Sequence, residues 1–252
     1  MKKKLQSKAK KILAIAAVAS MLGSQFVFDK SLWTQEVYAA GFNMNGSTWA
    51  EPYLRSLYEN GIMTGDTNGN MNPDKDITRA EFVTMLNKGM GYHETTGKVN
   101  FRDIKGTEWY ANEIDIAATQ GYFVGNGRNT AGASDNLTRE QAVAFLTRNL
   151  KYEEDDRGNT DFVDGVDFPT WSRGSINAAP DKGVIKGYED CTFRPKNNIT
   201  RAEAGTLLYN ALGKIINESG DYSYGTLNSN VTISKSGVTL RDTVINLDLY
   251  IK

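Results

Sequence analysis

Three arginines stand one residue after a threonine, in the words Ile77-Thr78-Arg79-Ala80-Glu81, Leu137-Thr138-Arg139-Glu140-Gln141 and Ile199-Thr200-Arg201-Ala202-Glu203. A threonine with Glu or Gln three residues on is a capping box, so each arginine falls in the first turn of a helix. That end of a helix carries about half a positive charge, and a sequence shaped for stability alone puts acids there. A guanidinium at this place suits an external anion, on which fork, dipole and free N–H groups converge. The competing reading is an internal ion pair, with Asp103 or Asp164 of the stretches Phe101-Arg102-Asp103 and Phe162-Val163-Asp164 as partner. Met44 holds the corresponding place in the first copy, so one site is expected to differ from the other two.

The words belong to a longer repeat. Trp49, Trp109 and Trp171 each lie 30 residues before their arginine; Gly61, Gly121 and Gly183 lie 18 before it, and Gly65, Gly125 and Gly187 lie 14 before it. An aromatic, Phe42, Phe101 or Phe162, opens each copy. Such a period marks repeated units that bury one shared core. Each reads as helix, loop, helix. In the first, Thr48 and Glu51 are spaced as a capping box, Tyr53, Leu54, Leu57 and Tyr58 give an apolar stripe, and Gly61 suits a left-handed helix end. Phe82, Val83, Leu86 and Met90 supply the core face of the second helix. Gly174 and Pro180 predict a shorter or kinked first helix in the third unit.

Composition narrows the function. The chain is 40% hydrophobic and 23% charged, as in folded globular proteins. Seven lysines against Asp29 and Glu36 fill the first 39 residues, so the remainder carries −6. That balance argues against nucleic acid as a partner. Lys2 to Lys11, the uncharged run Ile12 to Leu22 and Val37-Tyr38-Ala39 read as a signal peptide over 1–39. The run is short of the ~20 residues that span a bilayer, so stable membrane insertion is not expected. A lone cysteine, Cys191, allows no intramolecular disulfide.

A unit of about 60 residues with an opening Phe, a Trp, a Gly-Ile-x-x-Gly turn (Gly61-Ile62-Met63-Thr64-Gly65) and the Ile-Thr-Arg-Ala-Glu word resembles the S-layer homology (SLH) domain. On this resemblance the chain divides into repeats at 40–92, 99–152 and 160–214. The resemblance implies a mainly α fold in which three helix-loop-helix repeats form a pseudo-threefold, three-pronged bundle. The helices near each Trp would make its centre. It also implies a secreted protein of the cell wall or S-layer, anchored non-covalently. Its partner would be an anionic secondary cell-wall polysaccharide, a peptidoglycan-linked glycan often bearing pyruvate ketals on N-acetylmannosamine. That glycan would lie in grooves between repeats, with Arg79, Arg139 and Arg201 among the residues that bind it.

Beside the arginines, Gly65, Gly125 and Gly187 would let a sugar approach the backbone, or would serve turns that need positive φ. Trp49, Trp109 and Trp171 could stack on a sugar face; core packing is expected for most of their surface, with an edge lining a groove. No catalytic, metal or cofactor site is predicted. Asp66-Thr67-Asn68-Gly69-Asn70 lacks the glycine and glutamate of a calcium loop, and His93 and Cys191 lie in different units. Beyond the repeats, 221–252 alternates apolar and polar residues through Val231-Thr232-Ile233, Val238-Thr239-Leu240 and Leu247–Ile251. It reads as a β-rich tail, the start of a truncated β-solenoid able to pair with another chain. The alternatives to wall anchoring are the anchoring fragment of a larger cell-surface enzyme and a self-assembling surface-layer structural protein.

Overall fold

The computed structural model describes residues 41–96, 100–155 and 161–252. The signal peptide expected over 1–39, the short joins between units and part of the acidic run after Glu153 lie outside the described residues. The described chain is mainly helical. Helices α1 (Glu51–Glu59) and α2 (Arg79–Met90) form the first unit, α3 (Ala111–Thr119) and α4 (Arg139–Leu150) the second, α5 (Thr170–Ala178) and α6 (Arg201–Leu212) the third. Short strands follow: β1 (Lys214–Ile216), β2 (Gly220–Leu227), β3 (Val231–Ile233), β4 (Val238–Ile245) and β5 (Leu249–Ile251).

The three threonine words start helices as read. Thr78 Oγ1 accepts from the Glu81 amide at 3.2 Å while Glu81 accepts from the Thr78 amide at 2.9 Å. Thr200 and Glu203 make the same exchange at 3.2 and 3.0 Å, and Gln141 accepts from the Thr138 amide at 3.2 Å. Gly61, Gly121 and Gly183 take φ of 70, 82 and 66°, the left-handed conformation a helix end requires.

Two local expectations are corrected. The Thr48–Glu51 box does not form; α1 begins at Glu51 behind Ala50, without a side-chain cap. Pro52 in the first turn and the Glu51–Arg55 pair at 2.6 Å favour that start instead. Helix α5 has nine residues, the same as α1 and α3, and is not shortened. Pro180 lies two residues beyond its end, where it removes no helical hydrogen bond, and the Gly174 carbonyl accepts from the Asp155 amide of a crossing segment at 3.0 Å.

The units exchange helices in a cycle. Helix α3 packs on α2, α5 on α4, and α1 on α6, while α2 and α4 both touch α6. The first helix of each unit therefore covers the second helix of another. The second helices are the inner ones: on α1 only Leu54 and Leu57 are buried, whereas on α2 Ala80, Phe82, Val83, Leu86 and Met90 are all enclosed. The expectation that the helices near the tryptophans form the centre is thus reversed. Backbone bonds close the same ring, Ile77 N–H to Ile199 O (3.1 Å), Ile199 N–H to Leu137 O (3.0 Å) and Leu137 N–H to Ile77 O (2.9 Å). Above it Asp76 accepts from Asn136 and Asn198 at 2.9 and 2.8 Å. One carboxylate with two amides satisfies a meeting point where three aspartates would repel.

The arginines lock the cycle. Arg79 donates to Ala131 O (3.1 Å) and Val124 O (3.0 Å) in the second unit, Arg139 to Lys186 O (2.8 Å) in the third, and Arg201 to Met71 O (2.9 Å) and Thr64 O (2.8 Å) in the first. Each reaches the carbonyl just before Gly125, Gly187 or Gly65.

The strands are parallel and stack with a step of 17 or 18 residues: Lys214 on Val231 on Leu249, and Gly220 on Val238. Strand structure begins at Lys214, earlier than the 221 expected. The first turn is joined to the helices through buried polar groups. Asn230 Nδ2 donates to Ala211 O (2.9 Å) and Thr232 Oγ1 to Leu212 O (2.7 Å), meeting carbonyls at the end of α6 that lack a helical partner. Tyr250 donates to Tyr152 at 3.0 Å.

Two substitutions test these joints in equilibrium unfolding. Arg201→Ala strands two buried carbonyls and is expected to cost about 3 kcal/mol, with Arg201→Lys recovering only part of the loss because one ammonium cannot span both acceptors. Asn230→Ala, which also frees the Asp248 amide held at 3.1 Å, is expected to cost about 2 kcal/mol and to open 214–252 to protease.

Candidate functional site

The arginines are buried to 4, 6 and 9% exposure for Arg79, Arg139 and Arg201. Burial lowers the pKa of all three. Arg79 falls to about 10, opposed by the charges of Asp135 and Asp103, and stays charged at neutral pH. Aromatic rings share in holding two of them: Phe123 and Phe145 lie 4.9 and 5.2 Å from the Arg79 guanidinium carbon, Tyr188 and Phe193 4.8 and 5.2 Å from that of Arg139.

Of the expected aspartates, Asp103 acts on Arg79 through its charge, but the direct bonds of both go to backbone amides. Asp103 accepts from the Ala131 and Gly132 amides at 2.7 and 2.8 Å, and Asp164 from the Phe193 and Arg194 amides at 2.8 Å each. Both pin the loop of their own unit. Burial raises the Asp103 pKa, but those amides outweigh it and the net shift is downward. In the first unit, where Met44 takes that place, the Asn45 side chain accepts from the Asn72 amide at 2.8 Å. The acids that face the arginines come from another unit's capping box: Glu81 lies 3.6 Å from Arg201 and Glu203 4.0 Å from Arg139. Gln141 holds that position in the second unit, so no capping carboxylate is available to Arg79.

One open cleft of about 500 Å³ gathers three kinds of predicted residue from three units: Gly65 from the first, Trp109 from the second and Arg201 from the third. Lys75, Lys88, Asp66, Glu81 and Glu113 share its walls. Trp109 is 65% exposed, and Trp49 and Trp171 are 54 and 47% exposed, so the tryptophans are not core residues as preferred. They sit at the starts of outer helices, with ring faces available to solvent. Trp49, Trp171, Gly125 and Gly187 do not line this cleft; they occupy the same register in the other units.

Gly65, Gly125 and Gly187 are absent from the positive-φ residues, so the turn explanation fails for them. The constraint is space. A Cβ on Gly65 would meet Asn70 O at 2.9 Å, one on Gly125 would strike Thr130 O and the Phe101 ring, and one on Gly187 would lie 2.7 Å from the Phe162 ring. The loop closes over all three glycines, and the opening aromatic over Gly125 and Gly187 as well.

The loop of the cleft is held by Asp66, which accepts from the Asn68 and Asn70 amides (2.8 and 3.0 Å) and from the Asn70 and Asn72 side chains (3.2 and 3.1 Å). The Asn72 bond, with the Asn70 and Asn68 amides, lowers its pKa to about 2 from 3.8. A carboxylate depressed on folding stabilises above its unfolded pKa and loses that contribution as pH falls through the folded one. Carboxyl-detected NMR titration should find Asp66 still ionised at pH 3, with the loop amide resonances moving only near pH 2.

The family model of the S-layer homology domain matches residues 44–83, 100–143 and 161–204, half of the chain. The chain is 34% identical over 181 residues to an amylopullulanase of Thermoanaerobacterium thermosulfurigenes, an alignment covering 70% of this chain and 10% of that protein. It is 30% identical over 206 residues to the surface-layer 125 kDa protein of Lysinibacillus sphaericus, covering 79% and 16%. With a cellulosome-anchoring protein of Acetivibrio thermocellus it shares 32% identity over 159 residues, covering 60% and 35%. The alignments span about a third or less of these relatives' own lengths. One match of the family model falls on each of the three repeats, and the chain belongs to the S-layer homology domain family.

Proposed function

We propose that this chain holds an exported protein to the cell wall without a covalent bond, by binding an anionic, pyruvylated secondary cell-wall polysaccharide in clefts between its SLH repeats. The location is the cell wall or surface layer. In this reading the three units make a pseudo-threefold, three-pronged bundle, which the cyclic exchange of helices and the closed ring of hydrogen bonds support. Among the described residues no helix is long and apolar enough to cross a membrane. The similarity to the amylopullulanase covers a tenth of that enzyme, so its activity is not carried over, and the reading is of a non-catalytic module.

The observation that carries the proposal is the cleft of Arg201. There an exposed indole, a glycine-floored loop and three cations, two from the first unit and one from the third, face one space. Arg201 spends Nε and Nη2 on Met71 and Thr64, so a ligand carboxylate would meet Nη1, which it would share with Glu81 at 3.6 Å. Lys75 and Lys88 can follow further acidic groups, and Trp109 can stack on an apolar sugar face. Contacts repeated along a polymer raise retention by avidity. A second reading, self-association, is favoured by Val244, Leu247, Leu249 and Ile251, exposed on the outer strand turn.

Lys75, Lys88 and Trp109 are exposed and lie outside the interlock, so they test binding without unfolding. Pelleting of the chain with purified wall sacculi should fall about tenfold or more in the Lys75→Ala, Lys88→Ala, Trp109→Ala triple variant, with thermal melting nearly unchanged. Acid stripping of the walls should remove pelleting of the parent chain. Undiminished pelleting of the triple variant would refute this cleft, and sedimentation without walls would favour self-association.

A further inference from the structure

The three arginine positions do not offer three equal clefts. In the cleft of Arg201, Asp66 follows the loop glycine and folds back onto its own loop, so no loop side chain bridges Arg201 and Glu81, which meet directly at 3.6 Å on the wall of the open cleft. Tyr188 holds the same register after Gly187 in the third unit. Its hydroxyl donates to Glu203 Oε1 at 2.8 Å, spanning from the loop to the first turn of α6. Its ring lies 4.8 Å from the guanidinium carbon of Arg139 and 4.1 Å from that of Arg194. Arg194 is itself fixed by Asp190 at 2.7 Å. The two groups a ligand carboxylate and its sugar would meet here, a guanidinium and the capping glutamate, are already joined by a half-buried phenol.

We infer that Tyr188 is a built-in plug that closes the cleft of Arg139 to the wall glycan, leaving that position purely structural while the Arg201 cleft binds. This rests on the proposed function of the Arg201 cleft. A ligand at Arg139 would have to displace the ring from two cations and break its bond to Glu203, whereas at Arg201 it has only to share Nη1 with Glu81. Asn126 takes the corresponding register in the second unit, so the plug is peculiar to the third.

The tryptophans report the clefts separately, because Trp109 lines the Arg201 cleft and Trp49 holds the same register toward Arg139. The probe is a methyl glycoside of N-acetylmannosamine bearing a pyruvate ketal, titrated into the isotopically labelled chain while indole N–H resonances are followed. In the parent, Trp109 is expected to shift and Trp49 to stay within error. In Tyr188→Asn, which copies the second unit, Trp49 should begin to shift, with the Trp109 midpoint unchanged within twofold. Tyr188→Phe keeps the ring and should leave Trp49 silent. A Trp49 shift in the parent at the same midpoint as Trp109 would overturn the plug, as would silence of Trp49 in a folded Tyr188→Asn chain that still binds at Trp109. If Tyr188→Asn does not fold, the parent's Trp49 response alone decides. Silence of every indole in the parent would instead count against the glycan reading itself.

Discussion

Three guanidiniums, each buried in a neighbouring unit, are the contact on which the rest of the molecule depends. An isolated unit has a short outer helix, a glycine-rich loop and an inner helix, too little to enclose a core. The arginine at the head of the inner helix bonds to loop carbonyls of the next unit, and the third unit returns to the first through Arg201, Thr64 and Met71. The circle of bonds among Ile77, Leu137 and Ile199 closes beside it. Desolvating a guanidinium is costly, and here the cost is met by carbonyls that would otherwise lack donors and by aromatic faces. A charge in the interior thus fixes which unit packs on which, and the loop it grips becomes a wall of the cleft.

Part of this was legible in the sequence and part was not. The capping words, the left-handed Gly61 and the alternating 231–251 segment are local signals and appear where they were read. The partners of the arginines are not local. The carbonyls that receive Arg79 and Arg201 lie 45 to 137 residues away, and a cation in the first turn looks the same in sequence whether it waits for a ligand or grips a loop. The identical periodicity of three units hides the exchange of helices, since a stripe shows that a helix is covered but not by which copy.

The site was read in outline. Its residue types were identified, but the convergence of Gly65, Trp109 and Arg201 needs the cycle, for no two of them belong to one unit. Trp109 was misjudged because a tryptophan at a helix start reads as core, whereas these helices lie outside. Lys75 and Lys88 were missed; charged residues on an exposed face carry no sequence signal until the loop and helix bearing them meet. Tyr188 could have been noticed as an aromatic where the other copies have Asp66 and Asn126, and only its bond to Glu203 gives that difference a meaning.

Arg201 has two jobs, and a crystal structure of residues 41–252 soaked with a pyruvylated fragment of wall polymer examines both at once. The expected density puts the ketal carboxylate on Arg201 Nη1 and the sugar against Trp109, while Nε and Nη2 remain on Met71 and Thr64. A guanidinium swung away from those carbonyls to meet the sugar, or a fragment bound far from this cleft, would contradict it.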